Sequence, residues 1–81
     1  MKPIKILIVD DELLLRKALE GILSSQGYEV KSCETAKKAL SLLSEVFFDI
    51  VLVDLKLPDM HGLELLREIK RLSPETGVII I

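Results

Sequence analysis

One cysteine, one tyrosine, two phenylalanines and no tryptophan are all the thiol and aromatic character that 81 residues carry. The single thiol, Cys33, excludes an internal disulfide and fits a reducing compartment; it reads as a small, partly buried strand residue rather than a reactive group. With so few aromatics, a chain that is 49% hydrophobic must build an aliphatic core. A chain this short buries only about 60–65% of its unfolded surface, so it forms one domain at most. No apolar run approaches the ~20 residues of a membrane span. The run Ile6–Val9, behind Met1-Lys2-Pro3-Ile4-Lys5, is too short for a signal-peptide core and has no cleavage pattern, so a soluble, cytoplasmic protein is expected. Eleven basic against 13 acidic residues, a net charge of −2, leave no basic field for nucleic acid. Glycine is scarce as well: of four, none forms a glycine-rich phosphate loop behind the first apolar run. There is no internal repeat, linker or low-complexity segment.

What the chain does have is a series of short apolar runs separated by helical patterns. Ile4–Val9 reads as a buried strand that stops at Asp10-Asp11-Glu12. A helix is expected from Leu13 to Gln26, capped by Asp11 or Glu12, with Leu15, Ala18, Leu19, Ile22 and Leu23 on one face and Gly27 ending it. Leu13 and Leu14 extend the apolar surface toward the acidic turn, either as core or as a docking patch for a partner. Tyr28–Cys33 alternates like a half-exposed strand. Thr35 suits the N-cap of a second helix, with Ala36, Ala39, Leu40 and Leu43 at helical spacing. After Phe47-Phe48 comes Asp49-Ile50-Val51-Leu52-Val53-Asp54, four apolar residues between two acids: a strand buried on both faces, as in a parallel sheet. Gly62 precedes a third helix with Leu65, Leu66, Ile69 and Leu72 inside and the pairs Glu64–Arg67 and Glu68–Arg71 outside. Ser73–Gly77 is a loop, and Val78–Ile81 a fourth buried strand. The chain stops within this most apolar stretch, which reads as a fragment or as the ordered part of a longer chain. The alternation β-α-β-α-β-α-β implies right-handed crossovers and a parallel α/β sheet covered on both sides.

Open sheets of this kind bind ligands beyond the carboxyl ends of their strands. Two strand ends here carry acids: Asp10 and Asp11 after the first, Asp54 after the third. Taken singly, each is an ordinary cap or turn acid. If the two strands are neighbours, all three carboxylates meet, and a pair about 5 Å apart repels by roughly 3 kcal/mol at an effective dielectric near 20. A proton or a cation must relieve that. Oxygen-only ligands with open positions favour a hard ion such as Mg²⁺, which accepts a phosphate oxygen, and a carboxylate beside it can attack a phosphoryl group.

On the residues Ile8-Val9-Asp10-Asp11-Glu12, Asp49 to Asp54, and Leu57-Pro58-Asp59-Met60-His61-Gly62, the chain resembles the receiver domain of bacterial two-component response regulators. The resemblance covers the whole chain and implies a flavodoxin-like, doubly wound parallel sheet, incomplete after its fourth strand. It implies that Asp54 is the phosphoacceptor, fed by a histidine kinase, and that Asp11 binds Mg²⁺ directly while Asp10 acts mostly through water. Lys56 stands where the backbone carbonyl completes the metal site, so its side chain should matter little. Pro58 and Gly62 match the loop that closes the site. His61, where the family often has a small polar residue, is expected to be a solvated loop histidine and not a ligand. The family's Ser or Thr on the fourth strand, and its Lys and aromatic on the fifth, would fall beyond Ile81.

The resemblance implies self-modification rather than enzymatic turnover. A phosphohydrolase of the haloacid-dehalogenase type is disfavoured, because the residues two beyond Asp10 and Asp54 are Glu12 and Lys56 rather than a second Asp. A module that self-associates through an exposed fourth strand, without signalling activity, is the remaining alternative.

Overall fold

Strand β1 (Lys5–Val9) explains why the apolar runs become a sheet: Ile6, Leu7, Ile8 and Val9 are all buried, at 4% exposure or less, which only a strand covered on both faces permits. The computed structural model describes residues 2–81. It continues with α1 (Leu13–Ser25), β2 (Glu29–Cys33), α2 (Ala36–Glu45), β3 (Ile50–Val53), α3 (Gly62–Leu72) and β4 (Gly77–Ile80). All strand pairs are parallel, in the order β2-β1-β3-β4, so the chain winds outward from β1 to one side and then crosses back. The doubly wound α/β arrangement is therefore as expected.

The main core lies under α2 and α3. Leu7, Val9, Val51 and Val53 from one sheet face meet Ala36, Ala39, Leu43, Leu65 and Ile69 from the helices, with Phe48 and Leu57 sealing the ends. Side chains alternate along a strand, so Ile6 and Ile8 point to the other face, where α1 packs on β1 and β2. Cys33 is buried, more fully than its sequence neighbourhood implies, and desolvation pushes its thiol up to about 11. It is an inert core group.

Several local expectations shift. None of the residues of α1 is fully buried. Of its expected stripe only Leu19 and Leu23 are half-buried; Leu15, Ala18 and Ile22 are exposed, because the helix leans on β1 and β2 and leaves its far flank open. Leu13 and Leu14, at 54% and 80% exposure, are not core. The helix ends at Ser25, with Gln26 as C-cap and Gly27 at φ +93°, a conformation in which a Cβ is strained. Thr35 caps α2 as expected, its Oγ1 accepting the Lys38 amide. In α3, Leu72 is exposed while Leu65 and Ile69 are buried. The Glu68–Arg71 pair forms; Glu64–Arg67 is absent from the ion pairs of the described residues. Strand β4 starts one residue earlier than expected, at Gly77, and ends at Ile80. Ahead of it, buried Thr76 donates to the Phe48 carbonyl and meets Ser73 Oγ, which fixes the turn into the strand.

Candidate functional site

The register of β1 against β3 pairs Val9 with Val53, so the next residue on each strand, Asp10 and Asp54, leaves the sheet side by side. The ladder continues just past both ends: the Asp54 amide donates to Val9 O, and the Asp10 amide to Cys33 O on β2. These bonds aim both acids before any side-chain contact acts. Asp11 follows in the β1–α1 turn. Carboxylate oxygens of Asp10, Asp11 and Asp54 all lie within 4.8 Å of one another. The three are graded in depth: Asp10 is buried, Asp54 half-buried and Asp11 exposed.

Neither Asp11 nor Glu12 caps α1 with its side chain. Glu12 occupies the N-cap position, but it is the Asp10 carboxylate that accepts its amide, at 2.8 Å. Backbone amides reach the cluster in only two places, from Glu12 to Asp10 and from Lys56 to Asp54, among the described residues. Among the described residues no lysine or arginine forms an ion pair with any of the three acids. Carboxylates gathered within 4.8 Å of one another repel, and a cation placed among them relieves that repulsion. An all-oxygen donor set, anchored at depth and open at Asp11, fits a hard divalent cation that keeps some of its waters.

The β3–α3 loop completes the wall. Lys56 donates its amide to Asp54 Oδ1 at 3.3 Å and pairs with His61 across the loop, while its side chain is exposed. The Gly62 amide closes the loop onto Leu55 O at 2.7 Å. Leu57 is buried and Met60 packs on the core, so the loop is pinned from beneath. His61 is exposed, as expected, but it is more than a solvated loop residue: it caps α3, its Nδ1 accepting the Leu63 amide. Pro58 is exposed loop punctuation. A concavity of about 530 Å³ opens beside Ile4, Phe47 and Asp49 at the opposite ends of the strands and touches none of these groups.

Two contacts were invisible to periodicity. Asp59 sends its carboxylate across to α2, accepting the Ala36 and Lys37 amides at 2.9 Å each. Those two bonds hold its carboxyl below the usual Asp range. Arg16 donates to the Asp10 carbonyl at 2.9 Å.

Residues 6–81 match the model of the response regulator receiver domain. This chain belongs to that family. Among curated relatives, the two-component response regulator PhoP of Pseudomonas aeruginosa is 39% identical over 77 residues, 95% of this chain and 34% of that protein. This receiver chain thus spans about a third of PhoP's length. Among solved structures, the CheY-like receiver domain protein of Methanospirillum hungatei JF-1 superposes with a TM-score of 0.95 at 39% identity, covering 98% of this chain and 63% of that one. The response regulator TrrA of Thermotoga maritima, 32% identical with a TM-score of 0.90 over 95% of this chain and 67% of its own, was solved with Mg(2+)-BeF. TrrA was also solved in complex with the histidine kinase ThkA.

Proposed function

We propose that Asp54 is the phosphoacceptor of this receiver and takes its phosphoryl group from a histidine kinase. A carboxylate oxygen of Asp54 attacks phosphorus, the bond from phosphorus to the kinase imidazole nitrogen breaks, and the imidazole leaves with a proton from solvent. The reaction modifies the protein itself rather than turning over a substrate. Asp10, Asp11 and Asp54, with the Lys56 backbone carbonyl, would hold Mg²⁺. When bound, the ion supplies the positive charge that lets a trianionic cluster accept an anionic group. The protein's own part is placement. The bond that the Asp54 amide donates to Val9 O and the one that its Oδ1 accepts from the Lys56 amide aim Asp54, and the Gly62–Leu55 closure holds the loop beside it.

The observation that carries this reading is the convergence of three carboxylates within 4.8 Å at the carboxyl ends of two neighbouring strands. TrrA, with its Mg(2+)-BeF and kinase complexes, supports the choice of ion and donor. Leu13 and Leu14 lie exposed at the rim, beside Asp11, and suit a kinase docking patch. Such a receiver works in the cytoplasm, where the kinase and ATP are. The test is incubation with Mg²⁺ and acetyl phosphate, followed by intact mass. One phosphate adduct is expected on the native chain and none on Asp54→Asn. An adduct that survives Asp54→Asn, or that forms equally in EDTA, sinks the assignment.

One further observation favours self-association as a second property. Among the described residues, strand β4 lies at the sheet edge, paired with β3 alone, and shows Ile79 and Ile81 exposed.

A further inference from the structure

The acidic site is assembled from two separate loops. The β1–α1 turn brings Asp10 and Asp11; the β3–α3 loop brings Asp54 and Lys56. Metal ligation by both halves requires that their spacing be held. The β2–α2 turn and the first turn of α2 that continues it supply no acid to the cluster, yet both halves are fastened there.

From the first half, Arg16 is the fastener. Its side chain is 12% exposed; one guanidinium nitrogen donates to the Asp10 carbonyl at 2.9 Å and the other lies 3.9 Å from Glu34. Glu34 belongs to the β2–α2 turn and is held there by Lys38, whose hydrogen bond and charge keep its carboxyl below the ordinary Glu range. From the second half, the fastener is Asp59. Its two oxygens take separate amides, Ala36 and Lys37, while Thr35 Oγ1 takes Lys38. The opening turn of α2 therefore has a side-chain acceptor for three successive amides, and two of them come from a different loop. Asp59 sits three residues beyond Lys56 in a loop already closed by the Gly62–Leu55 bond and the Lys56–His61 bridge. A loop closed in this way moves as a unit, so anchoring Asp59 anchors the whole of it.

We infer that Arg16 and Asp59 are positioning residues that hold the two halves of the acidic site at a fixed spacing through the β2–α2 turn, and so set its affinity for a divalent cation. The inference rests on the metal reading above. Asp59 has its charge answered by the amides that open α2. An ordinary helix cap would contribute stability alone. A positioning residue moves metal affinity at temperatures where the fold is intact.

Calorimetric titration of the chain with Mg²⁺, well below each variant's melting temperature, separates the two. Asp59→Ala and Arg16→Ala should each weaken Mg²⁺ binding by about tenfold, the low end for residues that orient metal ligands from outside. Asp59→Asn keeps one acceptor oxygen and should recover part of that loss. Because both residues act through one turn, the double variant should lose less than the product of the two single losses. Asp11→Asn should abolish binding, which checks the site itself. If Asp59→Ala and Arg16→Ala lower the melting temperature but leave Mg²⁺ affinity within about twofold, the positioning role is overturned while the metal site stands. If the unaltered chain binds no Mg²⁺, the metal reading and this inference fall together.

Discussion

A Cβ built on Gly62 would come within 2.8 Å of both the Asp54 carbonyl oxygen and the Leu55 Cα. Both are backbone atoms, so neither can swing aside as a side-chain tip would. The residue is therefore tied to the end of β3 beside Asp54 by sterics as well as by its own hydrogen bond to Leu55. Gly62→Ala must push α3 away from the end of β3 and should cost about 1–3 kcal/mol, the usual range for overpacking. Thermal denaturation should show that loss, and acetyl phosphate labelling of Asp54 should slow with it. Unchanged melting and labelling would mean that the two backbones separate freely. At this scale the sequence is informative where one residue type has one job. Acids directly behind apolar runs identified Asp10, Asp11 and Asp54, since a strand end leaves little choice of position. It is uninformative where a side chain reaches another element: nothing within Pro58-Asp59-Met60 indicates that Asp59 binds α2 amides.

Helices α1 and α2 show the same contrast at the scale of elements. The stripe of α2 was legible and is satisfied, with Ala36, Ala39 and Leu43 buried under α3. The stripe of α1 was equally legible, but a stripe specifies only which face is apolar, and not how much of it the sheet can cover. Here β1 and β2 cover Leu19 and Leu23 and leave Leu15 and Ile22 open. The capping of α2 was likewise half visible, through Thr35 but not through Asp59. The Asp59 bonds have a pH signature. Its native carboxyl titrates below the ordinary value of 3.8 because the Ala36 and Lys37 amides favour the charged form. Between the two pKa values the unfolded chain binds more protons, so stability rises with pH across that window. The contribution is complete above about pH 5 and is lost as pH falls through the depressed native pKa. Asp59→Ala should therefore be less stable than the native chain by about 1 kcal/mol near neutral pH, the usual cost of a lost cap. That difference should shrink as pH falls through the depressed native pKa. Chemical denaturation at several pH values measures it, and a gap that stays constant to low pH would count against these bonds.

For the whole molecule, the two faces of the sheet are unequally covered. Among the described residues, one is roofed by α2 and α3 over a continuous core, and the other carries α1, displaced toward β1 and β2. Alternation settles what remains beyond α1. Leu52 pairs with Ile79 in register, so both point to the α1 side, while Val78 and Ile80 turn into the main core. Ile79 is 50% exposed, and among the described residues it lies on a strand paired on one side, with β3. Apolar side chains beside open backbone groups invite a second copy, and a strand edge is self-complementary about a two-fold axis. Sedimentation of this chain should then show association that increases with concentration. Ile79→Lys places a charge on that face without entering the main core, and should shift the population to monomer with little change in melting temperature. A native chain that stays monomeric at the highest soluble concentration would exclude pairing through β4. The same comparison also bears on the acceptor, because Ile80 lies opposite Val53, the residue before Asp54. If pairing stiffens β4, Asp54 labelling in the associated form should proceed at a rate different from that of the Ile79→Lys monomer; equal rates would show that the edge and the acidic site are independent.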